Sequence, residues 1–518
     1  MAFMTCPTIV WHLLVAVICR AGVGQAARRP GDDRPNFIIY VPDETRAESI
    51  GAYGHPFVRT PNLDALAANG TVFKEAHVLH TQCAPSRCAM ITGRYMHVLG
   101  HRTQTHLVRE YEPNFFRYLK DAGYYVSWHG KNDMFSQASF PLSVSNWTND
   151  IGSSKGPSPF KFNETGYYSF LASASKFFGN DSEHNGDYRA VVKSLEFMSS
   201  NPPEPFLIFL PGIGAHPSYG APKDYFDMYS ADQVAKLAPL RPPHVANKPK
   251  YHDGIIKYRN LESLNQTFFN KINAIYLGQV SYVDWILGQL VKGIDALPDI
   301  AKNTAIFVTS DHGDFSGDYH LVEKWPGGMD DILTRVPLIG RIPGGVKGHV
   351  VEAPVNVFDL FYTINVMAGT NVTHIHFAKS LLPELMGGPG DMNRTVYSEG
   401  GYQYFREFEP NDPEQKAVYA NPHNTYWARG KEEVEEGCPR AIMAKSSTHK
   451  LVYRPEGVSE LYDLATDKRE LNNVYSDPKY QEVVQKMEMD LLAYFVKTAD
   501  VTPVLEDPRG APKPPSSN

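Results

Sequence analysis

Cysteine is scarce in this chain of 518 residues, which has only Cys6, Cys19, Cys83, Cys88 and Cys438. So few thiols exclude a disulfide scaffold, and the fold must be held by hydrophobic packing. The length supplies enough core for two or more domains, or for one large α/β domain with an appendage. Positive charge is also short: 50 Lys and Arg stand against 57 Asp and Glu, a net −7. No basic excess points to nucleic acid or to anionic lipid, although a local basic pocket stays compatible with an acidic chain. Long apolar runs are missing as well. The N-terminal run, Thr8 to Cys19, is too short to span a bilayer, and no later stretch is long and apolar enough to anchor the protein. With 42% hydrophobic and 21% charged residues and no internal repeat, the composition excludes disorder, collagen-like structure and a multi-span membrane protein.

Residues 1–26 read as a signal peptide, with Gly24 and Ala26 as small residues for cleavage, although no Lys or Arg precedes the apolar run. Its removal takes away Arg20 and no acidic residue, leaving the remainder slightly more acidic. Sequons at Asn69, Asn146, Asn163, Asn180, Asn265, Asn371 and Asn393 fit the same compartment. The expectation is a protein of the secretory pathway, secreted or lysosomal. Losing Cys6 and Cys19 leaves an odd number of cysteines, which asks what the third thiol does.

Asn36 to Val41 (NFIIYV) is a continuous apolar, β-branched run, the pattern of a strand buried on both faces, and it ends in Pro42-Asp43-Glu44. Pro205 to Leu210 leads likewise to His216, and Thr304 to Thr309 to Ser310-Asp311-His312-Gly313. Tyr124 to Trp128 forms a further strand. Helices are expected over Pro61 to Ala68, over Pro113 to Ala122 before Gly123, around Tyr188 to Met198 and over Phe268 to Val291. Alternating strands and helices predict an α/β fold: a large, mostly parallel sheet flanked by helices, with ligands bound beyond the strands' carboxyl ends. From about residue 400 short strands follow (Arg440 to Lys445, Lys450 to Arg454, Glu460 to Asp463), then a helix from Pro478 to Lys497. The expected division is a signal peptide at 1–26, a catalytic domain at 27–399, an α+β subdomain at 400–501 and a Pro-rich flexible tail at 502–518.

The stretch Cys83-Ala84-Pro85-Ser86-Arg87, followed by Thr92-Gly93-Arg94, resembles the Cys-X-Pro-Ser-Arg signature of the type I sulfatases. Other elements stand in that family's order: Thr60-Pro61-Asn62-Leu63-Asp64, Gly130-Lys131, His216, Ser310-Asp311-His312-Gly313, Lys324, Arg335-Val336-Pro337 and Glu460-Leu461-Tyr462-Asp463. The resemblance covers Asn36 to about Val474. It implies an alkaline-phosphatase-like fold, one calcium ion, and oxidation of Cys83 to formylglycine by the formylglycine-generating enzyme, which accounts for the odd thiol. In the family's mechanism one hydroxyl of the hydrated aldehyde attacks sulfur and the other expels sulfate. A sulfate monoester is a monoanion that repels nucleophiles, and its departing alkoxide carries growing negative charge, so such a site needs a strong nucleophile beside fixed positive charge.

Carried over residue by residue, the resemblance makes Asp43, Asp311 and His312 metal ligands together with the group at position 83. Arg87 would orient the nucleophile, and Lys131, His216 and Lys324 would bind sulfate and protonate the leaving oxygen. Three departures matter. Glu44 stands where many members have a second Asp, so its carboxylate lies either on the metal or off it. His312 brings a nitrogen ligand, which leaves magnesium or another metal as an alternative. Asp133, in Gly130-Lys131-Asn132-Asp133, replaces a histidine that contacts the formylglycine; His129 or His101 are alternatives for that role. Lys-X-Asp occurs in the glucuronate 2-sulfatase type, which points to a sulfated glycan over a small aryl sulfate. The rival readings are a formylglycine-dependent phosphonate monoester or phosphodiester hydrolase and an inactive glycan-binding relative. Cys88 and Cys438 would then remain, either bridged or as two buried thiols.

Overall fold

The computed structural model describes residues 32–148, 158–159, 168, 170–175, 185–259, 261–401, 440–502 and 509. Its main sheet comprises β1 (Asn36–Val41), β2 (Thr71–Phe73), β4 (Tyr125–His129), β5 (Asn146–Thr148), β6 (Phe206–Pro211), β7 (Thr304–Thr309), β8 (Leu338–Arg341) and β9 (His349–Val351). The order is β5-β4-β6-β1-β7-β8-β2-β9. All neighbours run parallel except β8, which is antiparallel to both β7 and β2. β3 (Ala76–His77) and β10 (Val355–Asn356) form a small parallel pair. A second sheet is wholly antiparallel, in the order β11 (Val396–Gly400), β12 (Ala441–Lys445), β13 (His449–Tyr453), β14 (Glu460–Asp463). The architecture is thus the expected mixed, mostly parallel α/β sheet with a smaller C-terminal sheet, whose first strand straddles residues 399 and 400.

The continuous apolar runs are explained by helices on both sides of the sheet. In β1, Phe37, Ile39 and Val41 enter one core while Ile38 and Tyr40 enter the other. β6 divides the same way, Leu207 and Phe209 against Phe206, Ile208 and Leu210. Each such side chain taken out of water stabilises the fold by roughly 1.5–3 kcal/mol. The first core is closed by helices Cys83–Thr92, Phe115–Asp121, Asp359–Met367 and Gln481–Ala499. The second is closed by Pro61–Ala68, Gly186–Ser199 and the long helix Gln266–Asp295. Among the described residues no helix is long and apolar enough to cross a membrane.

This topology concentrates polar loops at one edge. β4, β6, β1 and β7 are consecutive and parallel, so their carboxyl ends lie side by side and deliver Lys131, His216, Asp43 with Glu44, and Asp311 with His312 to one place. Two glycines permit the close approach. A Cβ at Gly130, whose φ is +138, would sit 2.3 Å from the Pro211 carbonyl oxygen, and one at Gly313 would sit 1.9 Å from that of Ile332.

Candidate active site

Cys83 opens the helix Cys83–Thr92, with Gln82 as its N-cap and Pro85 in the first turn, where a missing N–H costs nothing. The Ala84 N–H donates to Gln104 Oε1 at 3.2 Å. The helix start is therefore a positive end pointed at the strand termini. Cys83 Sγ lies 3.3 Å from His312 Nε2 and 3.7 Å from Asp43 Oδ1. Burial, with Asp43 close by, pushes the Cys83 thiol well up. Burial thus disfavours the thiolate, the nucleophilic form, at an unmodified Cys83.

Asp43, Cys83, Asp311 and His312 are buried and offer one ligand atom each, all within 4.8 Å of one another. His312 Nδ1 donates to the Gly313 carbonyl at 2.9 Å, which leaves Nε2 with its lone pair toward Cys83. Burial lowers the His312 pKa and so favours this neutral form. Burial would raise Asp43, yet Lys131, with His216, Arg87 and Lys324, holds its carboxyl well below the usual range. Two carboxylates, a neutral imidazole nitrogen and a sulfur position that modification would turn to oxygen fit a hard divalent cation.

Glu44 lies outside that group. Its φ is 55, its carbonyl accepts from Tyr276 Oη at 2.7 Å, and its N–H donates to Asp311 Oδ1 at 3.2 Å. Its carboxylate instead pairs with Lys324 and lies 3.3 Å from His216 Nε2. Burial pushes the Glu44 carboxyl well up, and the neighbouring Asp314 adds to this against Lys324. Lys324 Nζ is 2.6 Å from His216 Nε2. The His216 side chain is 31% exposed and that of Lys324 only 1%, so the histidine forms the solvent-facing end of the pair.

Arg87 is fully buried. Its Nε donates to Asp311 Oδ2 at 2.7 Å, Nη2 lies 3.6 Å from Asp43, and neither terminal nitrogen has a hydrogen-bond partner among the described residues. These are two buried donors fit for an oxyanion. Lys131 pairs with Asp43 and is 2.7 Å from Asp133 Oδ2. Burial opposes ionisation of Asp133, but Lys131 and then Arg87 hold its pKa below the ordinary value. All the expected residues thus converge. His129 and His101 do not join them. His129 bonds Ser127 Oγ at 3.0 Å and Thr148 Oγ1 at 2.9 Å, and His101 bonds the His106 carbonyl at 2.7 Å and faces Glu112 at 3.3 Å. Cys88 is a buried free thiol 3.5 Å from the Met134 carbonyl, and Cys438 lies outside the described residues.

Sequence reasoning missed several supporting groups. Asp187, at the start of Gly186–Ser199, accepts the N–H groups of Ile213 at 2.9 Å and Gly214 at 2.8 Å and so fixes the loop that carries His216. Ser86 Oγ donates to the Asp311 carbonyl at 2.6 Å, and Ser310 Oγ to that of Pro42 at 2.7 Å. Ser86, inside Cys-Ala-Pro-Ser-Arg, and Ser310, inside Ser-Asp-His-Gly, were signalled by their motifs, whereas nothing local marked Asp187.

Comparison with known proteins agrees with this geometry. A family model described as Sulfatase matches residues 35–370. The chain is 26% identical over 488 residues to the uncharacterized sulfatase YidJ of Escherichia coli (strain K12), covering 90% of this chain and 88% of that protein. It is 27% identical over 376 residues to iduronate 2-sulfatase of Homo sapiens, covering 65% of each. The solved phosphonate monoester hydrolase of Agrobacterium radiobacter superposes with a TM-score of 0.71 at 20% identity, over 90% of this chain and 96% of that one. A match over more than half the chain, with the signature cysteine buried among carboxylates and cations, leads to one conclusion: the chain belongs to the sulfatase family and is a sulfuric ester hydrolase.

Proposed function

We propose that the protein hydrolyses a sulfate ester on a carbohydrate, a glycosaminoglycan being the favoured class. The observation that carries this reading is the convergence of Arg87, Lys131, His216 and Lys324 on the buried Cys83 position. Lys131 lies next to Asp133 in the Lys-X-Asp arrangement, and the similarity to an iduronate 2-sulfatase supports a sugar substrate.

Formylglycine formed from Cys83 by the formylglycine-generating enzyme would supply a hydroxyl nucleophile that a buried thiol cannot. A calcium ion, held by Asp43, Asp311, His312 and the group at position 83, would supply positive charge to the sulfate and lower the pKa of that hydroxyl. The chain's own residues do the rest. The two Arg87 Nη groups, which make no hydrogen bond among the described residues, and the Lys131 ammonium bind the sulfate oxygens as charge grows on them. As the bond from sulfur to the sugar oxygen breaks, that oxygen takes a proton from the Lys324–His216 pair, and Glu44 balances the pair's charge. Asp133 accepts a hydrogen bond, or a proton, from the nucleophile's side.

Secretion or lysosomal delivery completes the reading. The sequon residues Asn69, Asn146, Asn265, Asn371 and Asn393 are all exposed, as glycan attachment requires; Asn163, Asn180 and residues 1–26 lie outside the described residues. A phosphonate monoester is the second reading, favoured by the likeness to the Agrobacterium enzyme.

Parallel assays on sulfated uronate and hexosamine saccharides, aryl sulfates and phenyl phosphonate monoesters decide between the two. Peptide mass spectrometry of protein from a secretory host should find an aldehyde at position 83, and Cys83→Ala should abolish turnover. An unmodified thiol in fully active protein would sink the mechanism. Faster turnover of the phosphonate than of every sulfate would make the second reading the right one.

A further inference from the structure

Two buried tyrosines stand behind the contact between Lys324 and Glu44. Tyr219 follows β6 and Tyr276 lies on the long helix Gln266–Asp295; their rings meet edge to face, 6.5 Å apart at 83°. The Tyr219 hydroxyl accepts from the Glu323 N–H at 2.8 Å and donates to Asp314 Oδ1 at 2.7 Å. The Tyr276 hydroxyl accepts from the Arg46 N–H at 3.0 Å and donates to the Glu44 carbonyl at 2.7 Å. Each hydroxyl therefore spends its one proton and also accepts; Tyr219 joins Asp314 to Glu323, and Tyr276 braces the single turn from Glu44 to Arg46.

The residues they hold share an unusual backbone. Glu44 has φ 55 and Glu323 has φ 63, in the left-handed region that residues with a Cβ rarely adopt. Such conformations persist where the surroundings over-determine them. Both bear on one ion pair: the Glu44 carboxylate receives Lys324, and Lys324 follows Glu323 directly. Arg259 takes the Glu323 side chain, and the Phe315 N–H donates to the Glu323 carbonyl at 2.8 Å, so the turn is held at three points.

We propose that Tyr219 and Tyr276 are positioning residues that fix the Lys324 ammonium against His216 for proton delivery to the leaving oxygen, an inference that rests on the acid role given to that pair under Proposed function. Phenylalanine would keep the ring packing and remove both hydrogen bonds of either hydroxyl. Lys324 would then move relative to His216 Nε2, now 2.6 Å away, and a misplaced proton donor fails most where the leaving group most needs a proton.

The test compares Tyr219→Phe, Tyr276→Phe and Lys324→Ala with the parent enzyme on substituted phenyl sulfates, from para-nitrophenyl to unsubstituted phenyl, with rates normalised to the aldehyde at position 83. Para-nitrophenolate departs without a proton, whereas phenolate gains from one. For each tyrosine variant kcat should fall about tenfold on phenyl sulfate and no more than about threefold on para-nitrophenyl sulfate, with KM little changed. Tyr219→Phe should add nothing in the Lys324→Ala background. General loosening of the fold would lower every substrate by one factor, so plots of rate against leaving-group pKa parallel to the parent overturn the proposal. If Lys324→Ala itself leaves that slope unchanged, the acid role falls and the proposal with it. If Lys324→Ala steepens the slope while both tyrosine variants stay parallel, only the tyrosine inference is overturned. Should Tyr219→Phe fail to fold, Tyr276→Phe carries the comparison.

Discussion

Arg87→Lys separates binding of the oxyanion from simple charge balance. In the parent, Nε satisfies Asp311 at 2.7 Å, and the two terminal nitrogens, Nη2 facing Asp43 at 3.6 Å, are buried with no hydrogen-bond acceptor among the described residues. A lysine ammonium can keep a positive charge between Asp43 and Asp311, but it is a point charge and cannot present a planar pair of donors as well. Stability should therefore change little, whereas Arg87→Ala would leave buried carboxylates uncompensated at a cost of about 3–5 kcal/mol. Losing a preorganised donor to a developing oxyanion raises the barrier by roughly 2.7–4 kcal/mol, so Arg87→Lys should lose about 10²–10³ in kcat/KM. The substitution also alters the Cys-X-Pro-Ser-Arg signature. The assay must therefore count aldehyde at position 83 by peptide mass spectrometry and report turnover of para-nitrophenyl sulfate per aldehyde, alongside a thermal melt. A rate per aldehyde within about threefold of the parent would refute the argument, because the two Nη donors would then do nothing in the transition state.

Asp311→Ala removes a carboxylate from the buried cluster: content of the proposed divalent metal, measured by plasma mass spectrometry, should fall, and turnover should drop by roughly 10² or more; full metal content with full activity would contradict the assignment. Asp133→Asn keeps shape but loses the charge that faces Lys131 at 2.7 Å, so turnover should fall by about tenfold or more with a smaller change in apparent binding. Unchanged turnover would reduce Asp133 to a turn residue. Acid stability supplies a separate check: burial pushes His77, His129 and His374 each down to about 4 from 6.5. Because the unfolded chain binds these protons first, stability present above pH 6.5 is lost progressively as pH falls toward 4. For His77, fully buried, that shift is worth roughly 3 kcal/mol. His77→Gln should flatten the pH dependence of denaturant unfolding by about that amount, and parallel curves for variant and parent would rule the argument out.

The buried strands were the most legible part of the fold. Asn36–Val41 and Thr304–Thr309 have the bounds expected from their apolar runs, because a strand covered on both faces has no polar position to blur its ends. The expected helix at Phe268 to Val291 proves to be Gln266–Asp295, capped by Asn265, which accepts from the Phe268 N–H. Long-range pairing was not legible. β11 (Val396–Gly400) pairs with β12 (Ala441–Lys445) across a wide gap in sequence, and nothing local marks Val396 as the start of the second sheet. The same holds for β8, whose antiparallel insertion between β7 and β2 depends on the path of the chain rather than on residue type.

Within the site, legibility followed a physical rule. The residues proposed to carry the chemistry sit at strand ends and in short motifs, so type and position announce them: Asp43 after β1, Lys131 after β4, His216 after β6, Asp311 after β7. Residues that aim those groups act through backbone contacts, and a backbone contact leaves no mark on residue type. Glu44 shows the difference. Its extra methylene left open whether its carboxylate lies on the metal, and the placement of its side chain follows from a left-handed φ of 55 and a carbonyl held by Tyr276, 232 residues away. Once turned, that carboxylate meets Lys324 rather than the cluster of Asp43, Asp311 and His312. On the roles proposed above, Glu in place of Asp thus sets this carboxyl group beside the acid pair rather than among the metal ligands. This geometry requires Glu44→Asp to weaken the Lys324 contact: the side chain shortens by one methylene while Tyr276 still fixes its backbone. Phenyl sulfate should therefore slow more than para-nitrophenyl sulfate, by about tenfold against about threefold, with bound calcium unchanged. A variant that gained or lost calcium with no change in leaving-group dependence would put Glu44 back among the metal ligands and refute this division of charge.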